Sequence, residues 1–163
     1  MRTKDIALIG ITSAVMIVLQ VALRFLPNIE FVSLLVILYT LIIGWKTLYI
    51  IYVFVFVQGL IYGFHLWWIS YLYVWTILFF IVMLLRKNRS SYFWTFISGI
   101  YGLAFGALCS IPYLFIGGFP MALANWVSGI PFDIVHCIGN FIVALIFFKP
   151  LYELFTYIMS RWY

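Results

Sequence analysis

Charge is what this chain has least of. Among 163 residues nine are basic and four acidic, while 67% are apolar and the mean hydropathy is +1.21. So little charge leaves too much apolar surface for one soluble core, and the composition is that of a bilayer protein. Cysteine is nearly absent as well. Cys109 and Cys137 lie inside apolar runs without metal-ligand spacing to a second thiol or a histidine, so both read as small reduced hydrophobes and no metal is expected. Three catalytic signatures are missing: the Gly-x-x-x-x-Gly-Lys-Ser/Thr phosphate loop, the His-Glu-x-x-His pair and the Gly-x-Ser-x-Gly elbow. Their absence argues against an ATPase, a zinc peptidase or a serine hydrolase, and neither an enzyme nor a bound cofactor is expected. The net charge of +5 reports orientation and contact with anionic lipid rather than nucleic acid binding.

What is present divides into six apolar stretches. A hydrocarbon core of about 30 Å takes roughly 20 helical residues, and the expected crossings are 5–25, 29–44, 46–64, 66–85, 92–116 and 130–148. Arg2, Lys4, Lys46, Arg86, Lys87, Arg89, Lys149 and Arg161 then fall at one side and only Arg24 at the other. By the positive-inside rule both termini are cytoplasmic. The expected fold is therefore an all-α membrane protein, a single integral domain over 1–163 in a prokaryotic plasma membrane. Its first apolar run lacks a small-residue cleavage site and reads as a retained helix. Residues 117–129 are long, apolar and uncharged, and contain Gly117, Gly118, Pro120, Ser128 and Gly129. They read as an outer loop between helices 5 and 6, able to act as a lid. Beyond Pro150, the spacing of Leu151, Leu154, Phe155, Ile158, Met159 and Trp162 predicts a separate amphipathic helix over 149–163, lying on the inner membrane surface or against a partner.

The scarce polar residues collect toward the outer ends. Asp133, His136 and Asn140 share one helical face, and Asn140 lies roughly 10 Å deeper than Asp133. A buried Asp costs about 2.5 to 3.5 kcal/mol on the insertion scale, which calls for a partner or ligand; Asp133 also suits the first turn of a helix that starts at Pro131. The fourth stretch presents Trp67, Trp68, Tyr71 and Trp75, the last too deep for an interfacial belt. Flat rings beside hydrogen-bonding groups are the composition of an oriented site for a planar small molecule, although aromatic core packing would look the same. Trp68, Tyr71, Trp75 and Trp126 are the candidate stacking residues, and Glu30, Gln58, Asn125, Asp133, His136 and Asn140 the candidate polar contacts. Arg24 and Glu30 flank Pro27 and Asn28, where a mutual ion pair and a ligand role are both open. Ala7, Gly10 and Ala14 form a smooth strip on the first helix, suited to close helix docking.

With these features the whole chain resembles the substrate-binding (S) component of energy-coupling-factor vitamin transporters. The resemblance rests on six helices with both termini inside, small residues on the first, and the outer loop Leu26-Pro27-Asn28-Ile29-Glu30. It rests also on the Trp- and Tyr-rich fourth helix and on Pro131-Phe132-Asp133-x-x-His136-x-x-Gly139-Asn140 in the sixth. It implies a high-affinity subunit that captures a vitamin or vitamin precursor from outside, partnered by a transmembrane coupling subunit and two cytoplasmic ATPases. The family's first-helix alanine, three residues, alanine is here Gly10-x-x-x-Ala14, and the resemblance makes the strip with Ala7 a partner interface. A rival from another class is a self-sufficient carrier using His136 and Asp133 as a proton relay.

Overall fold

A computed structural model describes residues 2–26 and 28–162; Pro27, the centre of the expected Pro-Asn loop, lies outside the described residues. The described chain is helical with no strand: α1 (Thr3–Ala22), α2 (Val32–Ile43), a 3-10 turn (Gly44–Lys46), α3 (Thr47–Tyr62), α4 (Leu66–Leu85), α5 (Ser91–Cys109) and α6 (Ile111–Trp162). Five helical runs, α2 and α3 counted as one, are long and apolar enough to cross a membrane, which is compatible with a multi-pass membrane protein.

α2 is the axis of the bundle. Every residue from Val32 to Thr40 is buried, and the helix touches α1, α3, α4, α5 and α6. Apolar on all sides, it is stable only when wrapped by other helices. Its N-terminus is capped from the preceding loop by Glu30, whose carboxylate oxygens accept from Ser33 N at 2.9 and 3.2 Å. At its other end Gly44 takes φ 62° and reverses the chain into α3. α1 begins with Arg2 N–H donating to Asp5 Oδ2 at 3.0 Å, and Asp5 bonds Lys46 at 2.7 Å, which holds the start of α1 to the α2–α3 turn. Lys4 Nζ donates to Trp162 O and Arg89 to the Tyr152 hydroxyl, so the last turns of α6 join this basic end of the bundle.

α5 and α6 pack most extensively. Gly99, Gly102 and Gly106 recur on one face of α5, and a Cβ at Gly102 would stand 2.8 Å from His136 O, in contact with backbone that cannot yield. A Cβ at Gly106 would collide with the Asp133 carboxylate. This glycine strip brings the two backbones together and places the polar face of α6 against α5.

The structure corrects two expected boundaries. Residues 119–129 are helix, not loop: Ser110 keeps right-handed helical dihedrals, so the α5 path runs on toward a bend at Gly117 (φ −135°, ψ 19°) and Gly118 (φ 69°, ψ −170°). The left-handed φ of Gly118 is what turns the chain, and Pro120 falls in the first turn after it, where a missing N–H is harmless. Nor does Pro150 end the sixth helix. It and Pro131 each forfeit one backbone hydrogen bond, yet α6 stays helical through both to Trp162, because apolar surroundings strongly favour keeping all the other intrahelical bonds. The terminal stripe consequently docks inside its own chain. Phe155, Ile158, Met159 and Trp162 face Leu8, Ile11, Val15, Tyr39, Ile42 and Ile43 around an apolar cavity of about 210 Å³.

Candidate functional site

At the end of the bundle opposite the basic cluster, the helices splay around a cavity of about 310 Å³. Gln20 from α1, Arg24, Asn28 and Glu30 from the α1–α2 loop, Gln58 and Tyr62 from α3, Trp67, Tyr71 and Trp75 from α4, Phe105 from α5 and His136 from α6 line it, with Leu23, Leu26 and Ile29. The volume is at the lower end of the range for small-molecule sites.

One wall is aromatic. Residues 67, 71 and 75 stand four apart on α4 and therefore on one face. Trp67 meets Tyr71 edge-on at 5.1 Å, Tyr71 meets Trp75 at 5.5 Å, Trp75 leans on Phe105 at 5.4 Å, and Phe105 meets His136 at 4.8 Å. Offset and edge contacts of this kind fix ring orientations and leave faces free. The other wall is polar. His136 Nε2 lies 3.3 Å from Glu30 Oε1, both side chains nearly fully buried. Burial alone would raise the Glu30 carboxyl, but the hydrogen bond and charge of His136 and the hydrogen bonds from Ser33 hold it below its ordinary value. Asn140, one turn deeper, donates to Ser33 Oγ at 3.1 Å, so α2 and α6 are tied by an Asn140–Ser33–Glu30–His136 chain.

Three cavity-wall residues carry polar atoms that find no partner among the described residues: Gln20 Oε1, Gln58 Nε2 and Trp75 Nε1. An unsatisfied buried donor or acceptor costs about 1–3 kcal/mol. Five other orphaned side-chain atoms, on Thr47, Ser98, Asp133, Asn140 and Trp162, lie away from this cavity; the three at its wall are placed where a ligand or water can answer them.

Of the ten binding residues expected from sequence, Glu30, Gln58, Tyr71, Trp75 and His136 line this cavity. The other five are placed elsewhere. Trp68 turns toward α3 and donates to Val55 O at 2.9 Å. Asp133 accepts from Gly106 N at 2.9 Å and braces α5 against α6, and Asn140 supports the cavity through Ser33. Asn125 donates to Ser110 Oγ at 2.9 Å, latching the two arms around the Gly117–Gly118 bend, and Trp126 lines a small apolar hollow on that same hairpin. Residues 117–129 thus project alongside α5 and do not cover the cavity. Arg24 and Glu30 do not pair: Glu30 takes His136, and Arg24 makes no ion pair among the described residues.

Gln20, Tyr62 and Phe105 join the lining without having been singled out; Trp67 and Asn28, named on the aromatic face and in the outer loop, join it without having been named as binding residues. Gln20 had a signal, as a lone amide near the end of an apolar run; Phe105 had none. Ala7, Gly10 and Ala14 are exposed, and a Cβ at Gly10 would meet nothing within 4 Å. Among the described residues no group of three His, Cys, Asp or Glu side chains could hold a metal ion. Compared with known proteins, the chain matches no family model, no curated protein and no solved structure.

Proposed function

We propose that this protein is the membrane-embedded, high-affinity binding subunit of an uptake system, and that it captures a planar vitamin or vitamin precursor in the cavity among α1, α3, α4, α5 and α6. The observation that carries the reading is the group of orphaned polar atoms on Gln20, Gln58 and Trp75, set beside a ladder of oriented rings. The reading takes six crossings with both termini cytoplasmic in a prokaryotic plasma membrane. Eight of the nine basic residues then stand at the cytoplasmic side and the cavity opens outward. Residues 119–162, about 66 Å as helix, exceed a bilayer core of about 30 Å, so the hairpin end of α6 stands in the outer interface and its last turns in the inner one.

A binding subunit alone does no work. With no phosphate loop of its own, the chain relies on a transmembrane coupling subunit and two cytoplasmic ATPases, as in the transporters it resembles. The Ala7, Gly10 and Ala14 strip, exposed and smooth, is the surface suited to the coupling subunit. The test is equilibrium binding of heterocyclic vitamins to purified protein. The reading expects tight binding to one of them and a loss of about tenfold or more in Trp75→Ala and His136→Ala; undiminished affinity in both variants refutes the site.

A second reading draws on the buried Glu30–His136 pair. A cavity holding a coupled acid and base suits a proton-driven carrier, with Glu30 in the place of Asp133, which lies outside the cavity lining with its Oδ1 accepting from Gly106 N. Vesicles containing this chain alone separate the two. Uptake driven by a pH gradient without ATP supports the carrier, and its absence supports the dependent subunit.

A further inference from the structure

Resting on the reading of the outer cavity as a small-molecule site, we infer that the ligand is an anion: a compact planar ring whose carboxylate or phosphate is held by Arg24 at the mouth, with an acceptor atom of the ring facing Gln58 and Trp75.

The argument is one of unspent groups. Glu30 is the only acidic side chain in the lining, and its oxygens are engaged by Ser33 N and His136. Its charge is therefore answered inside the protein. Arg24 is the only basic side chain of the lining other than the histidine, it is exposed, and it has no ion-pair partner among the described residues. A guanidinium offers five donors in a flat fork and no acceptor, a shape that matches carboxylate or phosphate oxygens. Deeper in, Trp75 Nε1 can only donate, and the Gln58 amide presents an unanswered Nε2; both residues are 2% exposed. A neutral or cationic ligand would leave the Arg24 guanidinium to water alone, and a pure hydrocarbon ring would leave both inner donors orphaned. An anionic heteroaromatic answers Arg24 and these two donors, with its ring against Tyr71 and Trp75, while Gln20 Oε1, the orphaned acceptor of the lining, calls for a donor on the ligand or a water. The small volume favours a compact ring over a nucleotide.

Ligand-observed NMR on the detergent-purified full chain tests this with charge-matched probes: benzoate against benzamide, nicotinate against nicotinamide, and benzylamine as the cation. The inference expects each carboxylate to bind about tenfold more tightly than its amide, the scale of one charge-assisted hydrogen bond near solvent. Nicotinate should exceed benzoate because its ring nitrogen can accept. In Arg24→Gln the carboxylate advantage should vanish while amide binding persists, and Arg24→Lys should restore part of it. Arg24 lies in an exposed turn, and its side chain makes no hydrogen bond or ion pair among the described residues, so these variants should fold, and unchanged benzamide binding reports that they do. Equal binding of amide and carboxylate, preference for benzylamine, or a carboxylate advantage that survives Arg24→Gln overturns the inference while leaving a binding site. If no probe binds at millimolar concentration, the small-molecule reading of the cavity falls and takes this inference with it.

Discussion

Two of the cavities in the bundle lie at opposite ends, and their linings differ in kind. The one proposed to open outward combines Arg24, Glu30, Gln20, Gln58 and His136 with five aromatic residues, Tyr62, Trp67, Tyr71, Trp75 and Phe105. The inner one, beside the last turns of α6, is walled by Leu, Ile, Val, Met and aromatic carbon, with Thr12, Tyr39 and Trp162 the residues there that carry side-chain polar atoms. An apolar hollow can be filled by a slightly larger side chain with no loss of meaning. Unanswered donors and acceptors cannot be so replaced, because each is a demand for a particular atom in a particular place. Under the proposed function selectivity therefore belongs to the outer cavity, where three orphaned atoms gather, whereas the inner one between α1, α2 and α6 is lined mostly by carbon and leaves one orphaned donor, Trp162 Nε1.

The largest way to break this contrast is Glu30→Ala. It strips the cap from α2 and leaves His136 buried without its partner, at a cost of about 3–5 kcal/mol, read as a fall in the thermal unfolding midpoint in detergent. The stabilising effect of Glu30 has a defined pH window. Its carboxyl is held below the ordinary 4.5, so the contribution is present above that value and fades as the pH falls through the lower folded value. The difference between wild type and Glu30→Ala should shrink in acid. Gly102→Ala comes next. Its Cβ would press on the His136 carbonyl, an overpacking cost of about 1–3 kcal/mol with ligand affinity falling in parallel.

Trp75→Phe sharpens the comparison because its two effects oppose each other. Removing an orphaned indole N–H should leave the empty protein as stable or slightly more so. Ligand affinity should drop about tenfold, measured by calorimetry. Filling the inner cavity with Val15→Ile should raise stability by about 0.5–1 kcal/mol and leave ligand binding untouched. Smallest of all, Gly10→Ala meets open space and should change stability by less than about 0.5 kcal/mol.

How far these features were legible in the residues follows from the physics of each. The apolar runs behind α1, α3 and α4 are long and cleanly punctuated, so length alone locates them. The Gly117–Gly118 pair marks the right place for a turn, but a run of glycine and proline reads as a loop when nothing reveals that helical arms will brace each other through Asn125 and Ser110. Asp133, His136 and Asn140 do share a face, as their spacing requires. That face fans over about 60° at 3.6 residues per turn, wide enough to meet three different neighbours: Gly106, the cavity with Glu30, and Ser33. The strip Gly99, Gly102 and Gly106 went unread because glycine inside an apolar run has neither charge nor side-chain periodicity to betray it. Gln20 and Phe105 reach the cavity only through tertiary packing.

The most direct test is mass spectrometry of small molecules released from purified wild-type protein and from Trp75→Ala. A ring-containing compound recovered near one per chain from wild type, and lost from the variant, is the predicted result. Recovery of only lipid and detergent, the same from both proteins, would contradict the claim that this cavity exists to hold a ligand.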